Sequence, residues 1–143
     1  MRRYFIIIAV LLLASAIAGG CGQPSKGPEE QAAQKTAPQA TYTDVSPAEA
    51  KKMIDENPDL IVIDVSPAYD SGHLPGAVNY PVGDGSLDEA IPTLDKESTY
   101  LVYCHVESAS RQGAQKLVDA GFMKVYRLEG EYDAWVEGGY PVE

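Results

Sequence analysis

Cations, histidines and cysteines are scarce in this chain, and each shortage narrows what the protein can do. Eleven Lys and Arg face twenty-one Asp and Glu, which leaves a formal net charge of −10. From Tyr42 onward seven Lys and Arg face nineteen Asp and Glu. This negative charge disfavours nucleic acid and anionic lipid surfaces as partners of that part of the chain. Two histidines and a thiol without regular spacing do not indicate a metal site, and we expect no cofactor.

No apolar run in the sequence reaches the length of a membrane-spanning helix, and the longest run lies at the start of the chain. Tyr4 to Ala18 is apolar for about fifteen residues, short of the roughly 20 that a membrane-spanning helix needs. The run follows Arg2 and Arg3 and precedes small residues and Cys21, as in a bacterial lipoprotein leader. We predict a signal peptide over residues 1–20 and a lipid on Cys21, which holds the protein on the extracytoplasmic side of a bacterial membrane. A cleaved secreted protein and an uncleaved anchor are the alternatives, and both also place the domain outside the cytoplasm.

Residues 21–41 are predicted to form a flexible tether, because they are rich in Gln, Ala, Pro and Glu and lack large apolar side chains. Residues 42–143 then form one globular domain. If Cys21 carries lipid, Cys104 has no partner for an intramolecular disulfide. A lone thiol in an oxidising compartment is either buried and inert or retained for its chemistry.

Helix and strand signals alternate along the domain. Ser46-Pro47-Ala48-Glu49 predicts the start of a helix that ends at Asn57-Pro58, and Ser86 to Glu89 predicts a second capping box. Further helices are predicted at about 108–120 and at 131–137. The predicted strands lie at 60–65, 78–82, 99–104 and 125–128. This alternation predicts an α/β fold with a mainly parallel sheet.

The stretch from Thr99 to Gln112 contains the most informative residue, Cys104. Its first half is β-branched and aromatic like a buried strand, and its second half is small and polar and leads into a helix. Free N–H groups and the helix dipole stabilise a thiolate in such a place. The alternative is a small buried apolar residue at a strand end. Asp64 ends another predicted strand, and we expect it at the same edge of the sheet.

Short motifs follow one another across residues 42–143 in a characteristic order. They are Asp64-Val65, Tyr69, Gly72-His73-Leu74-Pro75-Gly76-Ala77, Tyr80-Pro81, Leu101-Val102-Tyr103-Cys104, Asp119-Ala120-Gly121-Phe122, Val125 to Gly130, Ala134-Trp135 and Gly139 to Val142. In this combination they resemble the rhodanese-like family of single-domain sulfurtransferases. The resemblance implies a five-stranded, mainly parallel sheet flanked by helices. It also implies that Cys104 is a nucleophile, which takes a sulfane sulfur from a donor as a persulfide and passes it to a thiol acceptor.

The resemblance further implies an active-site loop whose backbone N–H groups cradle the persulfide. The loop residues are His105, Val106, Glu107, Ser108, Ala109 and Ser110. Asp64, His73 and Arg111 are the predicted supporting residues. We interpret His73 as a structural hydrogen-bonding residue rather than a base. His105 either aids the thiolate when protonated or points to solvent.

The loop departs from the pattern that the resemblance implies. The family often has an arginine five places after the cysteine, where this chain has Ala109, and Glu107 occupies a place that is usually small. A missing cation and an added carboxylate disfavour an anionic donor such as thiosulfate, and a carboxylate at about 4–6 Å raises the pKa of a thiol. Arg111 is predicted to lie about 200° round the helix from the place of Ala109. Ser66 and Ala68 similarly replace a charged pair that the family usually has in the first loop.

Two functions of different classes follow. The first is a sulfurtransferase or sulfur carrier supplied by a neutral or protein-bound persulfide or polysulfide. The second is a non-catalytic module of the same fold that binds a partner or senses redox state. A cysteine phosphatase or arsenate reductase is disfavoured, because Ala109 removes the arginine that would clamp an oxyanion.

Overall fold

The structure is a computed structural model that describes residues 41–143. The predicted signal peptide, the lipid site at Cys21 and the tether up to residue 40 lie outside the described residues. None of the helices in residues 41–143 combines the length and the apolar character needed to cross a bilayer.

Strands and helices alternate along the described residues. The strands are β1 (Thr43–Val45), β2 (Leu60–Asp64), β3 (Val78–Asn79), β4 (Thr99–Tyr103) and β5 (Val125–Leu128). The helices are α1 (Pro47–Glu56), α2 (Ser86–Ala90), α3 (Glu107–Asp119) and α4 (Glu131–Glu137). Single turns of 3-10 helix occupy Tyr69–Ser71 and Ile91–Thr93.

The five strands form one parallel sheet in the order β1-β5-β4-β2-β3. This confirms the α/β class and the predicted five-stranded, mainly parallel sheet. β4 lies at the centre, and β2 pairs with it so that Asp64 is in register with Tyr103. The carboxyl ends of β2 and β4 therefore meet at one edge of the sheet, as expected for Asp64 and Cys104.

Helices cover both faces of the sheet, and each face has its own apolar core. On one face, side chains of α2 and α3 such as Leu87 and Leu117 pack against Val102 of β4. On the other face, Ala50 of α1 and Trp135 of α4 belong to the core that contains the β4 residues next in sequence to Val102. Near-continuous apolar strands are expected when a parallel sheet is covered on both sides.

α3 packs unusually close to the sheet, and Gly113 permits this. A Cβ atom on Gly113 would lie 2.9 Å from Cγ1 of Val65 and 3.4 Å from Cγ1 of Val102. The first turns of α3, which follow the loop after Cys104, are therefore seated directly on the ends of β2 and β4.

Helix α1 begins as predicted. The Ser46 side chain accepts a hydrogen bond from the Glu49 N–H, and the Glu49 carboxylate accepts one from the Ser46 N–H, which completes a capping box. The predicted box at Ser86 is wrong. Ser86 is already the first residue of α2, after Gly85, and its N–H donates to the Asp84 side chain. α3 begins and ends one residue earlier than predicted.

Strand β1 has no counterpart among the strands predicted from periodicity. It is three residues long and includes Asp44, so it shows no apolar pattern of its own. It is a strand because it pairs with β5: its three residues lie in parallel register with the last three residues of β5, Tyr126, Arg127 and Leu128. This pairing places Asp44 opposite Arg127.

Candidate active site

Cys104 directly follows the central strand, and its side chain is almost fully buried at 2% exposure. α3 begins three residues later, at Glu107, after the N-cap residue Val106. No main-chain carbonyl within residues 41–143 accepts from the amides of residues 105–108. The thiol thus adjoins a row of N–H groups that are free of carbonyl partners at a helix N-terminus, which is suited to a negatively charged sulfur.

The surroundings of Cys104 hold its thiol in the protonated form more strongly than in water. Burial raises the pKa of Cys104, and the carboxylates of Asp64 and Glu131 raise it further. Hydrogen bonds from the backbone N–H groups of Val106 and His105 act in the opposite direction. The amides identify where an anionic sulfur is stabilised, but burial and the two carboxylates outweigh them and leave the pKa of Cys104 raised.

The main chain of Cys104 is held from both sides by the first turn of α4, which begins with Glu131 and Tyr132. The Cys104 N–H donates to Oε2 of Glu131 at 3.0 Å. The Cys104 carbonyl accepts from the N–H of Tyr132 at 3.0 Å. This turn takes over because Cys104 lies beyond the last residue that β4 pairs with β5.

Glu131 belongs to a buried polar cluster next to the active-site loop. Its Oε1 atom accepts from Nη1 of Arg127 at 2.8 Å and from the Ser110 hydroxyl at 2.6 Å. The guanidinium is also buried, and its Nε donates to Asp44 at 2.7 Å. Burial raises the pKa of Glu131, whereas Ser110, the Cys104 N–H and Arg127 lower it. Sequence reasoning missed this cluster, because its members come from β1, β5, α3 and the start of α4.

Asp64 is fully buried and organises the loop that follows β2. Its Oδ1 accepts from the Ser66 N–H at 2.7 Å, while Oδ2 has no hydrogen-bond partner within residues 41–143. The amide of Asn79 bridges the carbonyls of Asp64 and Ser66 at 3.0 and 2.9 Å. Asp64 therefore supports loop amides, and its charge reaches the Cys104 thiol.

His73 makes structural contacts in the loop between β2 and β3. Its ring stacks on Tyr69 with 3.7 Å between centroids, and Nδ1 lies 3.2 Å from the Tyr69 carbonyl. Its N–H and carbonyl pair with the carbonyl and N–H of Glu143. These contacts favour the structural interpretation of His73. Gly72, with φ of 130°, lets this loop close on Tyr132, whose hydroxyl occupies the space a Cβ would need.

His105 does not point to solvent. Its ring stacks on Tyr132 with 4.3 Å between centroids, and its Nε2 atom is buried without a hydrogen-bond partner within residues 41–143. The following residue, Val106, carries the exposed apolar side chain of the loop, with 58% exposure.

The comparisons with known proteins agree with this arrangement. Residues 46–138 match the sequence profile of the Rhodanese-like domain, which is more than half of the chain. The chain belongs to the rhodanese-like family. Cys104 lies at the end of the central strand, and its role as the nucleophile stays a prediction from the resemblance to this family.

Relatives in this family extend over most of the described domain. A thiosulfate sulfurtransferase GlpE of Actinobacillus pleuropneumoniae is 31% identical over 105 residues, which are 72% of this chain and 94% of that protein. The rhodanese-like domain of the Anabaena protein Alr3790 is 28% identical with a TM-score of 0.64, covering 72% of this chain and 80% of that one. The polysulfide-sulfur transferase of Wolinella succinogenes, a homodimer, is 28% identical with a TM-score of 0.60, covering 73% and 80%.

Two rhodanese loop residues, Glu107 and Ala109, stand where the resemblance implies a small residue and an arginine. The exposed carboxylate of Glu107 pairs with Arg111, whose Nη2 lies 2.6 Å from its Oε1. The carboxylates that raise the pKa of Cys104 are therefore Asp64 and Glu131, and the expectation for Glu107 is corrected. Arg111 is exposed and also reaches the Tyr42 hydroxyl, so it supports the loop only through Glu107.

Every cation within residues 41–143 is already engaged. Lys51, Lys52, Arg111, Lys116 and Arg127 pair with carboxylates. Lys96 and Lys124 donate to main-chain carbonyls. In the part of the chain that the structure describes, no group of three acidic, histidine or cysteine side chains could hold a metal ion.

Proposed function

We propose that this protein is a membrane-tethered, extracytoplasmic sulfurtransferase or sulfane-sulfur carrier that forms a persulfide on Cys104. The observation that supports it most is the position of that thiol, between the end of the central strand and the free amides of residues 105–108. The sulfurtransferase relatives in the same family support the same chemistry.

The transfer proceeds in two displacements at sulfur. The Cys104 thiolate attacks the outer sulfur of a donor persulfide, RS–SH, so that a new S–S bond forms and the donor leaves as RS⁻. An acceptor thiolate then attacks the outer sulfur of the Cys104 persulfide, which breaks the new bond and regenerates the Cys104 thiolate. Thiolates are good nucleophiles and good leaving groups, so neither step needs a cofactor. The loop amides stabilise the negative charge on sulfur in both steps.

The donor is expected to be a neutral or protein-bound persulfide or a polysulfide rather than thiosulfate. Thiosulfate carries two negative charges, and no cation near Cys104 is free to bind them within residues 41–143. The charged groups that act on the thiol, Asp64 and Glu131, are carboxylates. The resemblance to a polysulfide-sulfur transferase is consistent with this preference.

The proposal that the protein is tethered to a membrane rests only on the sequence of residues 1–21. Arg2, Arg3, the apolar run and Cys21 have the order of a lipoprotein signal. Growth of an expressing bacterium with a labelled fatty acid should label the protein, and Cys21→Ser should abolish the label. Equal labelling of both forms would refute lipidation at this residue.

The intact mass of the full-length protein tests the sulfur-carrier role. After mixing with glutathione persulfide, we expect a gain of about 32 Da for one sulfur, lost on addition of cyanide and absent in Cys104→Ser. Thiosulfate should load the protein much more slowly. Efficient, saturable turnover of thiosulfate would refute the donor preference.

A binding or redox-sensing module is the second candidate. It is favoured by the raised pKa of Cys104 and by the exposed side chain of Val106 beside it. No sulfur adduct with either donor, together with normal alkylation of Cys104, would select this candidate.

A further inference from the structure

Glu131 occupies a conformation and an environment that are both unfavourable for a glutamate. Within residues 41–143 it is the non-glycine residue with a positive φ, at 62°, and it follows Gly130, which has φ of 75°. Its side chain is also buried, with 6% exposure for the residue. A charged residue held in the left-handed region persists where its surroundings require it, often at a functional site.

The carboxylate of Glu131 joins the two ends of the active-site loop. Oε2 holds the N–H of Cys104, where the loop begins, and Oε1 holds the hydroxyl of Ser110, in the first turns of α3. Nη1 of Arg127 donates to Oε1 of the same carboxylate at 2.8 Å. The next residue, Tyr132, binds the Cys104 carbonyl, so residues 131 and 132 together hold the whole Cys104 peptide.

We propose that Glu131 is the positioning residue of the sulfur-transfer site. By holding Cys104 and Ser110 at fixed separation, it keeps the thiol and any sulfur bound to it facing the free amides of residues 105–108. It touches neither donor nor acceptor. This inference rests on the proposed function, because the placement matters for a persulfide that must be stabilised and then presented to an acceptor.

The test compares two variants that remove the carboxylate in different ways. Glu131→Gln keeps the size of the side chain, and Glu131→Gly also relieves the left-handed backbone. The matched control is Glu129→Gln, which removes an exposed carboxylate two residues earlier in the chain. Two quantities are measured on the full-length protein well below its melting temperature. They are the single-turnover rate of sulfur loading from glutathione persulfide and the pH midpoint of Cys104 alkylation.

We expect both Glu131 variants to load sulfur roughly 10- to 100-fold more slowly, as for a displaced nucleophile, while Glu129→Gln retains the wild-type rate. The alkylation midpoint should move to lower pH in both, because a carboxylate that raises the pKa of Cys104 is gone. A thiol that is more acidic yet slower in sulfur transfer is the signature of lost positioning. A purely structural role would lower the melting temperature and leave the loading rate unchanged, and that result overturns the proposal.

Failure of the two proposals can be told apart. If the wild-type protein gains no sulfur, the proposed sulfur-transfer function is refuted, and with it the reason for a positioning residue. If the wild-type protein loads sulfur and a folded Glu131→Gln loads it at the same rate, only the positioning role is refuted. If Glu131→Gln does not fold, Glu131→Gly decides, because glycine adopts the required φ without strain.

Discussion

Two Arg–Glu ion pairs with the same spacing make a stringent test of how burial sets the strength of a charge pair. Arg127 and Glu131 are separated by 2.8 Å, and both side chains are nearly inaccessible, at 2% and 8% exposure. Arg111 and Glu107 are separated by 2.6 Å, with 51% and 61% exposure. Both pairs are four residues apart in sequence. Replacing each arginine by methionine therefore changes the same interaction in two environments.

Arg127→Met should lower the free energy of unfolding by about 3 kcal/mol, because it leaves the buried carboxylate of Glu131 without its cation. The value is at the low end of the usual range, since Ser110 and the Cys104 N–H still donate to that carboxylate. For a domain of this size the loss corresponds to a decrease in melting temperature on the order of 12–24 °C. Arg111→Met should leave the melting temperature nearly unchanged, because water and salt screen an exposed pair.

The loss in Arg127→Met should also depend on pH. Burial raises the pKa of Glu131 above that of an unfolded glutamate, and removal of Arg127 takes away a group that lowers it. Between the two pKa values the folded state binds more protons than the unfolded state, so stability decreases as pH rises through that window. The deficit of Arg127→Met relative to wild type should therefore be smaller near pH 5 than near pH 7.

Urea unfolding of wild type, Arg127→Met and Arg111→Met at both pH values measures these differences. Equal losses for the two arginines at neutral pH would refute the assignment of the Arg127–Glu131 pair as the buried one. A deficit that grows toward acid would refute the raised pKa of Glu131.

Packing and hydrogen bonding give two further predictions. Gly113→Ala should lower the free energy of unfolding by about 1 kcal/mol or more, because its Cβ would lie 2.9 Å from Val65, whereas Gly83→Ala, with open space around it, should change little. Tyr103→Phe removes the hydroxyl that accepts from the buried Leu74 N–H at 3.0 Å, and it should cost about 1–3 kcal/mol in urea unfolding; an unchanged stability would show that water reaches this amide.

The fold could be predicted from the sequence where local signals and tertiary packing agree. Strand β5 and helix α4 have the predicted bounds, since an apolar run and an apolar stripe bounded by glycines mark them. The Cys104 position at the end of the central strand followed from the same kind of pattern. Strand β1 was not accessible, because its three residues become a strand only through pairing with β5.

The supporting residues of the site could be predicted from the sequence only in part. Asp64 lies at the predicted edge and binds a loop amide, because strand order alone places it beside Cys104. Arg111 turned out to serve Glu107, since helical spacing of four residues brings the two side chains together. Glu131 carried no local signal, because its role depends on Cys104 and Ser110, which are distant in sequence.

The engagement of every cation within residues 41–143 has a kinetic consequence. The carboxylates in excess over the cations give the domain a negative electrostatic field, which repels small anions before they reach the loop. Dissolved salt screens that repulsion over a Debye length of about 10 Å at 0.1 M ionic strength. Encounter with an anionic donor should therefore accelerate as salt is added, whereas encounter with an uncharged donor should not. The ranking of sulfur donors is thus a property of the medium as well as of the protein, and the preference for an uncharged donor is greatest in dilute buffer.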